Sequence, residues 1–282
     1  VRTDPRGLWN SGENRGHPWQ ARFILLGISA GFCLGLTGCL SPHDFVLLAK
    51  TKLLFLPIES KYHLKLRSDS AAFFPDWRTS PEYRAECEEI EPDQLRRMPA
   101  ILNQALARYP KGFVAQHLKT IALAKRMSFY GVDYGATCGP GVIFMAVRPE
   151  MDEDYLFLAF HHELAHLLLH QKPFQNLKRW EALNPGGFVY PNNAIQAAGI
   201  KRGMTQPEML AQGFLSDFCR SSFSEDFCYF SAFFFLDPGR YHYLLEQYPK
   251  LKAKFELWLD YYHDLDPRFT AEYFFTPSGP WN

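Results

Sequence analysis

The chain has 282 residues, 47% of them hydrophobic, with 25 Phe and 14 Tyr, which is enough apolar matter for a sizeable core in one large or two small domains. Thirty basic and 30 acidic residues cancel to a net charge of zero, and no basic stretch stands out, which argues against nucleic acid as a partner. No internal repeat or low-complexity tract points to a solenoid or a disordered chain.

Residues 23–40, FILLGISAGFCLGLTGCL, form an uncharged apolar run behind Arg15 and Arg22, as in the positive and apolar regions of a secretory signal. Its end, Leu36-Thr37-Gly38-Cys39, resembles the bacterial lipobox, in which the Cys is diacylated and becomes the first residue after cleavage. On this reading residues 1–38 are a signal peptide with an over-long basic region. Residues 39–70 are then a lipidated tether, 71–282 a single folded domain, and the destination is the bacterial cell envelope, facing the periplasm or the exterior. An uncleaved membrane anchor and a buried helix remain as alternatives.

Beyond Cys39 four cysteines remain, Cys87, Cys138, Cys219 and Cys228. Export would permit disulfides among them, and buried thiols are the equal alternative. No Cys-x-x-Cys occurs, so a zinc ribbon is not supported.

Around FVLLAKTKLLFLPI (45–58) the sequence suggests an edge strand. PDQLRRMPAILNQALARYP (92–110) has Leu95, Met98, Leu102 and Leu106 on one helical stripe and stops at Pro110-Lys111-Gly112. LKTIALAKRMSFYG and GVIFMAV read as strands. Asp152, Glu153 and Asp154 open a helix that runs to about Gln171. NPGGFVYPNNA (184–194) is loop. Helices are expected over about 206–218, 224–236 and 239–262, giving an α+β domain.

Four of the ten histidines fall in FHHELAHLLLH, residues 160–170. Within it His162-Glu163-Leu164-Ala165-His166 is an H-E-x-x-H pattern. At about 100° per residue, His162 and His166 lie one turn apart and within ~40° of each other, while Glu163 sits ~100° round. Two imidazoles so placed can share one tetrahedral zinc, with the carboxylate in reach of a water beside it. Phe157, Phe160, Leu164 and Leu167 form an apolar ridge on the opposite face. A metzincin needs Gly and then His at the places held by Leu169 and Lys172, so that class is out. His170, a further turn along, is a candidate to support a ligand from outside. His161 points away and reads as exposed or capping. The remaining ligand has to come from a later element, where Glu225 and Asp226 open an apolar helix. Ser222-Phe223-Ser224-Glu225 is also a capping box, in which Glu225 would merely close the helix start.

Taken together, LNQALARYPKGF…GVIF, HHELAHLLLHQ and GFLSDFCRSSFSEDFCYF, behind a lipobox, resemble the zinc-binding metallopeptidases found among bacterial lipoproteins. These are gluzincin-like and distantly similar to the anthrax lethal factor catalytic domain. The resemblance covers roughly residues 90–236. It implies a zincin-like α+β domain with an active-site helix beside a small mixed sheet and a mostly helical C-terminal part. It further implies Zn2+ on His162, His166 and Glu225, Glu163 as general base, Asp226 as a group orienting a ligand His, and peptide or protein substrates. The family usually carries Tyr seven residues before the ligand Glu, and here Phe218 stands there. Tyr134, Tyr190, Tyr229 or His242 could supply the missing donor. Failing that, the scaffold would serve as a catalytically weak or inactive envelope binding protein.

Overall fold

The computed structural model describes residues 53–69, 73–74, 84–191 and 206–275; the apolar run at 23–40 and Cys39 lie outside them. Residues 53–62 are helical (α1), not an edge strand. Short apolar runs carry no decisive period, and here Phe55 and Ile58, three apart, turn into the core while Leu53, Leu54 and Leu56 stay exposed. The chain then pairs as β1 (Lys65–Arg67) with the sheet, so part of the expected tether belongs to the fold.

Helix α2 (Pro92–Ala107) starts on a reciprocal capping box between Glu91 and Gln94, and its stripe of Leu95, Met98, Leu102 and Leu106 is buried as the spacing predicts. A short helix α3 (Phe113–His117) leads into the central strand β3 (Thr120–Phe129). The first half of β3 is flanked in parallel by β1 and by β6 (Val142–Ala146), with Thr120 opposite both Lys65 and Val142. Its second half pairs antiparallel with β2 (Glu86–Glu89) and β4 (Val132–Tyr134). Tyr130 and Gly131 make the two-residue turn between β3 and β4, both at positive φ (55° and 76°), the backbone that matches strand twist in a tight hairpin. Strand β5 (Ala136–Gly139) pairs antiparallel with β6 and ends the order β1-β3-β6-β5. The sheet is therefore small and mixed.

Helix α4 (Glu153–Gln171) packs on β5 and β6 and is capped by Asp152, whose carboxylate accepts from the Tyr155 N–H at 2.7 Å. The rest is helical: α5 (Leu177–Ala182), α6 (Pro207–Gln212), a 3-10 turn (Asp217–Arg220), α7 (Phe223–Leu236), α8 (Pro238–Gln247), α9 (Pro249–Leu265) and α10 (Ala271–Phe275). The expected helix 206–218 breaks at Gly213, which takes φ 90°, a left-handed cap that an L side chain resists. The expected helix 239–262 breaks at Tyr248, because a residue before proline avoids the helical region and Pro249 suits the first turn of α9. An aromatic core of Phe230, Phe234, Phe235, Trp258 and Tyr262 joins α7 to α9, each ring contributing roughly 1.5–3 kcal/mol by burial. Among the described residues no helix is long and apolar enough to cross a membrane.

Candidate metal centre

Among the described residues, helices α4 and α7 make the most extensive helix contact, and the chemistry-bearing residues sit along it. Nearly all of α4 from Leu156 to Leu168 is buried, so its two faces are not one apolar and one open. The ridge of Phe157, Phe160, Leu164 and Leu167 is in the core, and the histidine face is covered by α7. His162 and His166 lie one turn apart and meet edge to face, with ring centroids 4.7 Å from each other.

Glu225 arrives from the first turn of α7. Ser222 caps that helix by accepting the Glu225 N–H at 3.1 Å. The Glu225 carboxylate does not close the box; it runs to the imidazoles. Its Oε2 lies 3.0 Å from His162 Nε2 and 3.5 Å from His166 Nε2, and the two Nε2 atoms are 3.1 Å apart. All three side chains are buried and form a group able to hold a metal ion.

A triangle with these edges has its centre about 1.9 Å from each corner, and zinc bound tetrahedrally at ~2.0–2.2 Å keeps its donors about 3.3 Å apart. The donor set and its size therefore fit zinc. Burial holds the His162 imidazole below its ordinary pKa range, against the pull of Glu225 and with help from His166, so at neutral pH it offers a lone pair instead of a positive charge. Glu163 is buried with Oε2 lacking a hydrogen-bond partner, and its charge is close enough to act on His162. A buried carboxylate oxygen left without a donor is costly in a purely structural role.

Asp226, the next residue of α7, faces away from the trio. Its Oδ2 accepts from Lys254 Nζ (2.7 Å), Tyr190 Oη (2.7 Å) and Trp180 Nε1 (2.9 Å). Oδ1 and His162 Nδ1 have no partner among the described residues, so that imidazole donates no hydrogen bond to Asp226. The carboxylate instead ties α7 to α5, α9 and the 184–191 loop. Lys254 was missed from sequence, although a signal existed: it falls on the buried stripe Leu251, Lys254, Phe255, Trp258 of α9. A lysine there needs a buried acid. Its ammonium also lies over the Phe214 and Trp180 rings, 4.3 and 5.1 Å from their centroids.

His161 is neither exposed nor capping. It is fully buried, its Nδ1 hydrogen-bonded to Tyr109 Oη at 2.7 Å and its ring stacked on Phe235 at 5.2 Å. The apolar packing of α4 extends right round the helix, and no count of polar residues on the sequence reveals that. His170 is exposed in the last turn and stays outside the trio. Phe218 does sit at the site, its ring centroid 5.9 Å from that of His162. Of the alternative donors, Tyr229 is the one whose ring reaches His162, at 6.2 Å. Tyr190 is held by Asp226, Tyr134 packs on Phe129, and His242 packs on Phe275. Cys87, Cys138, Cys219 and Cys228 are thiols, the last three buried.

No family model and no curated protein sequence matches the chain. Its structure does match a crystal structure described as "a putative zinc-binding metallo-peptidase" from Bacteroides caccae ATCC 43185, with a TM-score of 0.52 over 80% of this chain and 88% of that one, at 16% identity. The chain has a zincin-like α+β fold. Within that fold a His-x-x-x-His helix beside a small mixed sheet, with Glu225 brought in by a later helix, is the arrangement the site requires.

Proposed function

We propose that this protein is a zinc-dependent peptidase, carried on the bacterial cell envelope by a lipidated Cys39. The observation that carries the catalytic part is the convergence of three buried donor atoms, His162 Nε2, His166 Nε2 and Glu225 Oε2, beside the unpartnered oxygen of Glu163. His162, His166 and Glu225 would hold the zinc, which would supply Lewis acidity toward a scissile carbonyl and an attacking water.

The chain's own residues do the rest. His162 and His166 fix the position of the site along α4. Glu225 contributes the anionic donor and is held by the Ser222 cap. Glu163 accepts the proton of the attacking water at a carboxylate oxygen and passes it to the leaving amine. Strand β5 supports a peptide substrate: it ends the sheet order and packs against α4, and an extended peptide can pair along such an edge. The lipid anchor rests on the sequence alone, on Leu36-Thr37-Gly38-Cys39 behind an apolar run.

A second reading is favoured by Phe218, which puts a ring without a hydroxyl 5.9 Å from His162. A donor aimed at the developing oxyanion is worth about 3–4 kcal/mol of barrier, and a scaffold without one would bind peptides in place of cutting them. The two readings separate in one experiment on the zinc-loaded protein and a mixed-peptide library. The peptidase gives chelator-sensitive cleavage that Glu163→Gln abolishes while bound zinc is retained. Wild-type turnover in Glu163→Gln removes Glu163 from the mechanism, and zinc-loaded protein that cuts nothing favours the binding scaffold.

A further inference from the structure

On the side of the fold reached by α1, the ends of α2 and α3 border an open pocket of about 370 Å³, within the ~300–1,000 Å³ range of small-molecule sites. None of its lining residues belongs to the metal trio. The accessible part of its wall is mostly apolar, with Tyr62, Ala107 and Ala115 lying over the buried Leu106, Tyr109, Pro110 and Val114. The floor is rigid, because Tyr109 is pinned through its hydroxyl to His161 and stacked against Phe113 and Phe235. Such a wall keeps its shape when empty, which lowers the cost of binding.

The lining includes Lys61, Lys111 and His63 and no acidic residue. All three are exposed at the rim. His63 occupies the left-handed position where α1 ends, at φ 54°, a usual helix stop. The Lys61 ammonium bonds Asn103 Oδ1 at 3.1 Å and has further N–H donors to give. An apolar hole with a basic mouth is complementary to one kind of small molecule, an amphiphile with a single anionic head.

We propose that this cavity binds a straight-chain monocarboxylate, its hydrocarbon tail against Tyr62, Ala107 and Ala115 and its carboxylate at Lys61, His63 and Lys111. At ~30 Å³ per water-sized group, the space holds on the order of a dozen methylene-sized groups, which matches the size of octanoate or decanoate. The site is independent of the peptidase reading, so binding is measured with or without zinc.

The test is isothermal titration of the full chain with octanoate, and with octan-1-ol as the uncharged probe. Saturable one-to-one binding of octanoate is expected, at least tenfold tighter than octan-1-ol. Ala107 lines the cavity on the exposed last turn of α2, so Ala107→Trp plugs the space without disturbing the core and weakens octanoate at least tenfold. Ala115→Trp serves the same purpose should the first variant fold poorly. Lys61→Glu with Lys111→Glu weakens octanoate about tenfold and leaves octan-1-ol unchanged. The proposal is overturned by absence of saturable octanoate binding, by equal affinity for acid and alcohol, or by wild-type affinity in a folded plugged variant.

Discussion

Replacing Lys254 by Met takes the ammonium away from Asp226 while keeping most of the stem that fills the space. Both residues of this pair are 0% exposed. The loss has two parts: a charge-assisted hydrogen bond, worth roughly 1.5–3 kcal/mol, and an aspartate left charged in the core. Removing one member of a buried pair typically costs about 3–5 kcal/mol in all. Tyr190 and Trp180 still donate to Oδ2, which places Lys254→Met toward the lower end of that range. For a domain of this size the melting temperature should fall by about 6–12 °C. Asp226→Asn in the same chain removes the second charge and keeps an acceptor for the tyrosine and the tryptophan. The double variant should therefore recover at least ~2 kcal/mol relative to the sum of the single effects. Urea unfolding of the four proteins reads this directly. Because Asp226 follows Glu225 in the first turn of α7, zinc affinity in Lys254→Met should also drop about tenfold or more. A single-variant cost below ~1 kcal/mol, or strictly additive effects in the double variant, would refute the argument that this pair anchors the ligand helix.

Two further outcomes follow from burial. His161 is held well below the ordinary histidine pKa, first by burial and then by the Arg108 charge. Above pH ~6.5 folded and unfolded forms are both neutral there. Below it the unfolded chain takes up a proton that the folded one refuses, and stability falls by up to about 1.4 kcal/mol per pH unit until the depressed folded pKa is reached. His161→Phe, studied metal-free by urea unfolding between pH 6.5 and 4.5, should show a slope shallower by up to one proton; an unchanged slope would contradict the buried placement. The Cys219 thiol is pushed up by burial and by the Asp226 charge, so alkylation mapped to Cys219 by mass spectrometry should appear only as the domain unfolds. Fast labelling of the folded protein would place Cys219 at the surface.

Much of the site was legible because its parts are local. H-E-x-x-H on a capped helix fixes two imidazoles and a carboxylate by helical geometry alone, and Asp152 marks where that helix starts. Glu225 was legible only as one of two options, since a capping-box glutamate and a metal ligand look alike in sequence; the tertiary approach of α7 to α4 brings its carboxylate to the two imidazoles. The breaks at Gly213 and at Tyr248-Pro249 were written in the residues as a left-handed cap and a proline start. The helical state of 53–62 was not, because burial of Phe55 and Ile58 against the rest of the fold selects it. The fates of His161 and Asp226 were equally hidden. Each depends on partners more than 25 positions away, Tyr109 for one and Lys254, Tyr190 and Trp180 for the other.

The most direct measurement is metal content by elemental analysis after zinc reconstitution, on wild type beside His162→Ala and Glu225→Ala. The trio predicts close to one zinc per wild-type chain and a marked loss in both folded variants. Wild type without zinc, or a Glu225→Ala protein that keeps its full complement, would contradict it.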